Sequence, residues 1–130
     1  MTIWESKTNR RNRNFLLTLL LPVLVTAWLA SPLAEARPEK IRPGVAHYSD
    51  GFETRDGVSD IAQERNYEEV YNNYEFYEAR YDEKERIVRF IAYKRGQVDW
   101  EERYLYREGE RPYAKEVIQS DGSKKTVELK

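Results

Sequence analysis

From Tyr74 to Leu129 the chain alternates short apolar runs with polar turns, and it echoes itself after 25 residues. Tyr81-Asp82-Glu83-Lys84-Glu85-Arg86-Ile87-Val88 is followed by Tyr106-Arg107-Glu108-Gly109-Glu110-Arg111-Pro112-Tyr113, which sets Tyr81 on Tyr106 and Arg86 on Arg111. Each unit closes on a glycine turn, at Gly96 and at Gly122. A fixed period with turn chemistry at matching offsets is the trace that serial β-hairpins leave in a sequence.

The individual runs agree with that reading. Ile87 to Lys94 places Val88, Phe90 and Ala92 on one face and Ile87, Arg89, Ile91 and Tyr93 on the other. Val98 to Tyr106 sets Val98, Trp100, Tyr104 and Tyr106 opposite Asp99, Glu101, Arg103 and Leu105, with Glu102 interrupting the apolar side. Tyr74 to Tyr81 supplies a strand before them, and Tyr113 to Gln119 and Lys125 to Leu129 follow, joined by the hairpin signal Asp121-Gly122. The expected fold class is mainly β: a small antiparallel meander of about five strands over residues 67–130, one face aromatic and the other charged.

Two stretches before the meander read differently. Asn66 to Asn73 fits a strand at period 2 and a helix through Tyr67, Val70, Tyr71 and Tyr74, so both remain open there. Residues 37–66 show little apolar periodicity and are punctuated by Pro38, Pro43, Gly44, Gly51 and Gly57. They are expected to form a flexible leader up to Val45 and a loosely ordered segment beyond. Within it, Tyr48 and Phe52 flank a turn tripeptide, Ser49-Asp50-Gly51, and Asp60 with Gln63 suggests a helical turn near Ile61 to Arg65.

The first 36 residues are of another kind. Lys7, Arg10, Arg11 and Arg13 precede an uncharged apolar run, Phe15 to Ala30, and Ala34 and Ala36 supply the small residues that signal peptidase accepts. The pattern is that of a secretory signal peptide cut before Arg37. A run of 16 residues is shorter than the roughly 20 a spanning helix needs, and Pro22 would disturb a permanent helix. The expected location is therefore exported, periplasmic or extracellular, and the alternative is an inner-membrane protein anchored by Phe15 to Ala30. The sequence contains no cysteine, which removes both a lipidated cleavage site and any disulfide.

Of the 22 basic and 23 acidic residues, four and two lie before Arg37, leaving 18 against 21 in the mature part. With a formal charge of −3 and mixed signs, nucleic-acid binding lacks its electrostatic footprint. All ten tyrosines lie in the same part, so tyrosine is expected to do much of the packing.

Candidate chemistry is sparse. His47 is the only histidine, and with no neighbouring ligand or nucleophile it reads as an ordinary surface residue. The carboxylates at Glu68-Glu69, at Asp82-Glu83-Glu85 and at Asp99-Glu101-Glu102 each sit among arginines and lysines, which points to cross-strand ion pairing on a solvated face. No catalytic residue, metal or cofactor is expected. The candidate binding residues are Tyr77, Tyr81, Tyr93, Trp100, Tyr104 and Tyr106, with Tyr74 beside them, because flat rings on a rigid sheet suit stacking on proteins or sugars. The competing reading is that these rings form the core of a leucine-poor sheet. The expected function is a non-enzymatic binding protein for another envelope or extracellular macromolecule, with a homodimer as one possible partner. The alternative is a carbohydrate-binding module that stacks a glycan of the cell wall on Trp100.

The fragment Tyr81-Asp82, Arg86-Ile87, closing on Gly96, resembles the YD repeat of Rhs-type bacterial cell-surface proteins. Glu85 stands where that family has glycine, and Arg107 replaces the aspartate in the second copy. The resemblance covers Tyr81 to Gly122 and implies β-hairpin repeats on an exported protein, with no catalytic residue carried over.

Overall fold

The computed structural model describes residues 37–130; the expected signal peptide lies outside that span. Five consecutive strands follow the alternating runs: β4 (Glu75–Tyr81), β5 (Ile87–Lys94), β6 (Gln97–Leu105), β7 (Ala114–Gln119) and β8 (Lys124–Glu128). Each pairs antiparallel with the next, so the expected meander forms with ends within a residue or two of the reading. The turn chemistry explains the sharp reversals. Arg95 and Gly96 both take positive φ, the conformation of a type I′ turn, whose twist matches that of the flanking strands.

The span expected to be a loose leader carries three more strands: β1 (His47–Ser49), β2 (Phe52–Arg55) and β3 (Val58–Ile61). β1 joins the meander against β4 and completes a six-stranded sheet in the order β1-β4-β5-β6-β7-β8. β2 and β3 form a separate hairpin, turned at Asp56-Gly57, again with both φ positive. These strands escape a periodicity reading because they are three or four residues long, and all four residues of β2 stay exposed. Ser49-Asp50-Gly51 is not a hairpin turn: Ser49 ends β1, and a bend at Asp50 carries the chain from the sheet to the hairpin.

The ambiguous stretch resolves as a single helical turn, α1 (Tyr67–Val70), where the Asn66 N–H donates to Glu69 Oε1 at 2.8 Å. The helical turn expected at Ile61 to Arg65 is absent. Ile61 ends β3, the Asp60 carboxylate is occupied by Tyr81 and Arg37, and Arg65 bridges to Tyr48.

One face of the sheet lies against the β2–β3 hairpin. Its core is Ile61 from the hairpin with Tyr77, Ala79, Tyr81, Ile87, Phe90, Ala92 and Tyr104 from the sheet, and Trp100 and Tyr106 pack against it. Ile87 was expected on the opposite face. An irregularity in the pairing sets Arg80 opposite Arg89 but Tyr81 opposite Ile87, so Val88 is the extra residue and Ile87 turns inward. Phe52 leans over the same face, with ring centres 4.6 Å from Tyr77, 5.3 Å from Phe90 and 5.9 Å from Trp100. The other face carries α1 at one end and is called the open face below.

Candidate functional site

The six sequence-selected residues do not share one exposed surface. Tyr77, Tyr81 and Tyr104 are buried, and Trp100 and Tyr106 are half-buried against the same cluster under the hairpin. Tyr93 alone lies on the open face, opposite Phe76. The side read as one aromatic face is thus a core, because the leader folds over it.

On the covered face the polar ends of the tyrosines tie the hairpin to the sheet. Tyr81 donates its hydroxyl to Asp60 at 2.5 Å, and Arg37 Nε reaches the same carboxylate at 3.1 Å. Burial pushes the Tyr81 phenol far above its ordinary value and also raises Asp60. The Tyr104 hydroxyl accepts the Ser59 N–H at 2.7 Å and donates to Glu102. Lys115 Nζ completes that set, 2.8 Å from Glu102 and 2.7 Å from the Gly57 carbonyl. Glu102, which interrupts the apolar alternation in sequence, is therefore the buried acceptor of two donors. Tyr106 donates to the Ile87 carbonyl, and burial holds its phenol up at about 12. Phenols shifted this way stay protonated near neutral pH and act as hydrogen-bond donors.

His47 departs from its expected surface position. It is fully buried, its ring edge-on to Tyr81. Nε2 accepts the Arg42 N–H at 3.2 Å, which places the ring proton of the neutral form on Nδ1, 2.8 Å from Glu64. The histidine is a cross-link between loop and strand. Among the described residues no group of three His, Cys, Asp or Glu side chains is placed to hold a metal ion.

A cleft of about 370 Å³ opens where the hairpin meets the β4–β5 turn and the β6–β7 loop, with Arg37, Asp60, Arg86, Tyr106 and Arg111 among its lining. Three of its guanidiniums are engaged by hydrogen bonds within the chain. Arg37 also donates to the Glu85 carbonyl, Arg86 holds Asp82 and the Gly109 carbonyl, and Arg111 holds Asp56. The arrangement closes the fold at that end.

The open face is built in rows by the register of the strands. Phe76 and Tyr93 stand opposite each other, with rings stacked at 4.6 Å and 10°. Next come Glu78, Ile91 and Glu101, directly opposite across β4, β5 and β6, followed by Arg80, Arg89 and Arg103. The two carboxylates sink while the guanidiniums stay outside: Glu78 and Glu101 are 3% and 5% exposed, against 40%, 40% and 44% for the side chains of Arg80, Arg89 and Arg103. Arg80 Nε holds Glu78 at 2.7 Å, and Glu101 takes Nε of both Arg89 and Arg103. Burial pushes the Glu101 carboxyl up, but the hydrogen bonds and charges of the two arginines outweigh it and hold the group below its ordinary range. Tyr93 donates to Glu78 at 2.8 Å, and burial raises its phenol.

At the α1 end the rings continue. Tyr48, Tyr67, Tyr71, Phe76 and Tyr93 line a hollow of about 250 Å³ together with Gly96. Tyr67 and Tyr71, one helical turn apart, stack at 5.4 Å and 21°, and Tyr67 meets Tyr48 at 5.0 Å. Tyr67, Tyr71 and Tyr74 are 47%, 45% and 53% exposed, and the Lys94 and Arg95 cations lie over the Tyr74 ring. Sequence reasoning singled out only Tyr74 and Tyr93 of this set. The signal for Tyr67 and Tyr71 was present in their helical spacing, but it was balanced by an equally good strand pattern.

No family model, curated protein or solved structure matches the chain.

Proposed function

We propose that this is an exported, non-enzymatic interaction module, and that it grips a partner protein through the aromatic end of its open face. The reading is carried by one observation: exposed Tyr67, Tyr71 and Tyr74 gather at one end of a face that carries, two rows further along, half-exposed arginines, on a sheet already stiffened from behind. Tyrosine and arginine are the side chains that carry most binding energy in protein interfaces, since each offers a large contact area together with hydrogen-bond donors. Tyr67 on α1, and Phe76 and Tyr93 beneath it on β4 and β5, lose little freedom on binding, which keeps the entropic cost low. The expected surface thus moves from the covered side to the opposite side of the same sheet, and Tyr93 is the residue of the sequence-selected set that stays in it. The YD-like units serve in this reading as scaffold.

A glycan ligand is the second reading. It rests on the near-parallel Tyr67 and Tyr71 rings, which present flat faces of the kind that stack on sugars. Trp100 serves it less well, since Phe52 and Phe90 occupy its surroundings.

The two are separated by retention of the protein on immobilised envelope proteins and on purified cell-wall polysaccharide. A Tyr67→Ala/Tyr71→Ala variant with an unchanged unfolding midpoint should lose retention on protein, while Trp100→Ala keeps it. Loss on polysaccharide alone moves the assignment to the glycan. Retention that survives the double substitution on both supports would remove the aromatic end as the binding surface.

A further inference from the structure

The two edges of the six-stranded sheet are treated differently. The β1 edge is covered: the Arg65 N–H donates to the Tyr48 carbonyl at 2.7 Å across it, and the Ala62 N–H holds Gly51 just beyond. The β8 edge has no strand beside it among the described residues, and four of its five residues are exposed. Which of its backbone groups are free follows from the ladder. The Leu129 N–H donates inward to the Tyr113 carbonyl, and the Ser123 carbonyl accepts inward from Gln119. Alternation along the strand then turns the N–H and C=O of Lys124, Thr126 and Glu128 outward.

From this edge we infer that β8 pairs antiparallel with β8 of a second copy, about a two-fold axis at Thr126. Outward groups can bond only to outward groups, so Thr126 must face Lys124, Thr126 or Glu128 of the other strand. Facing Lys124 sets Lys125 against Lys125, and facing Glu128 sets Lys124 against Lys130. Only the register centred on Thr126 sets Lys124 against Glu128, twice by symmetry, with Lys125 opposite Val127. In that register all three outward residues meet outward partners, and each pair exchanges two backbone hydrogen bonds. Lysines on an edge strand ordinarily repel an incoming strand. Here Glu128 at the far end converts that repulsion into attraction for an antiparallel copy of the same strand. The axis runs perpendicular to the sheet, so the ladder continues from one copy into the other and the two aromatic ends lie at opposite ends of the joined sheet, well away from the contact. The contact is small, which makes the dimer concentration-dependent and weaker at high salt.

Sedimentation of the purified protein over a concentration series, at low and at high salt, tests this independently of any partner. The wild type should dimerise reversibly. Lys124→Glu replaces both attractive pairs by Glu–Glu and should weaken self-association about tenfold at low salt, as should Glu128→Lys. The doubly reversed variant, Lys124→Glu/Glu128→Lys, should recover it. Tyr71→Ala should leave it unchanged, which separates this contact from the proposed partner surface. A wild type that stays monomeric throughout, or a double variant no better than the singles, would overturn the pairing.

Discussion

Glu101 and Glu102 are neighbours in the chain, point to opposite faces of one sheet, and are both buried. On the covered face Glu102 is held by a lysine and a tyrosine that also reach the hairpin, so its partners lie inside the protein. On the open face Glu101 is held by two arginines whose outer halves face solvent. A carboxylate enclosed by buried donors fastens two layers together. A carboxylate sunk beneath guanidiniums sets the positions of charges that others can touch. The difference lies in the second partner of each donor, and no reading of residue types along one strand contains it.

Four experiments test how sharp this difference is. The largest effect is expected from Lys115→Met. With both side chains of the Lys115–Glu102 pair about nine-tenths buried, loss of the cation leaves a buried carboxylate short of a donor, and stability should fall by about 3 to 5 kcal/mol in urea unfolding. Arg103→Met on the open face should cost under about 1 kcal/mol, and equal losses would erase the distinction. Phe52→Ala comes next. It removes the ring that lies over Tyr77, Phe90 and Trp100 yet keeps more than a third of its surface in water, so a loss of about 2 kcal/mol is expected.

Third are the pH responses of two carboxyls. Glu101 titrates lower in the folded than in the unfolded chain, so its stabilisation is complete above the ordinary glutamate value of 4.5 and is lost as pH falls through the folded value. Glu101→Gln should flatten that acid limb and cost about 1 to 2 kcal/mol at neutral pH, allowing for screening of its half-exposed partners. Asp60, raised mainly by burial, has the opposite sign: its contribution is present at low pH and is lost as pH rises through the folded value. Asp60→Asn should flatten the unfolding midpoint there, and a variant with the wild-type slope would show that burial does not govern the group. The smallest effect belongs to Tyr71→Ala, expected within about 0.5 kcal/mol of wild type because its ring is nearly half exposed. A larger loss would make the aromatic end a structural element.

The meander was legible because each of its strands spans several residues and each turn carries its own chemistry, as Arg95-Gly96 and Asp121-Gly122 do. The hairpin over it was not. Phe52 and Ile61 are single apolar residues in polar surroundings, and only tertiary contact shows that one leans on three rings while the other is wholly buried. Missing that cover turned a core into an expected binding face. His47 failed for the same reason, since its partners Glu64 and Arg42 come from loops on either side of it. The face assignment of Ile87 failed because a bulge leaves no mark in composition.

β4 to β8 are joined by nearest-neighbour hairpins, whereas β1 finds its partner about thirty residues away and β3 leans on β4 and β5, across the α1 segment. Loop closure is the slow part of assembling such contacts. The meander should therefore form first, and pulsed hydrogen exchange should protect β4 to β6 before β3. During synthesis the first-made piece of this fold emerges with nothing to rest on until the later strands appear. The protein cannot set itself stepwise from its leading end, and it reaches its final form only as a whole.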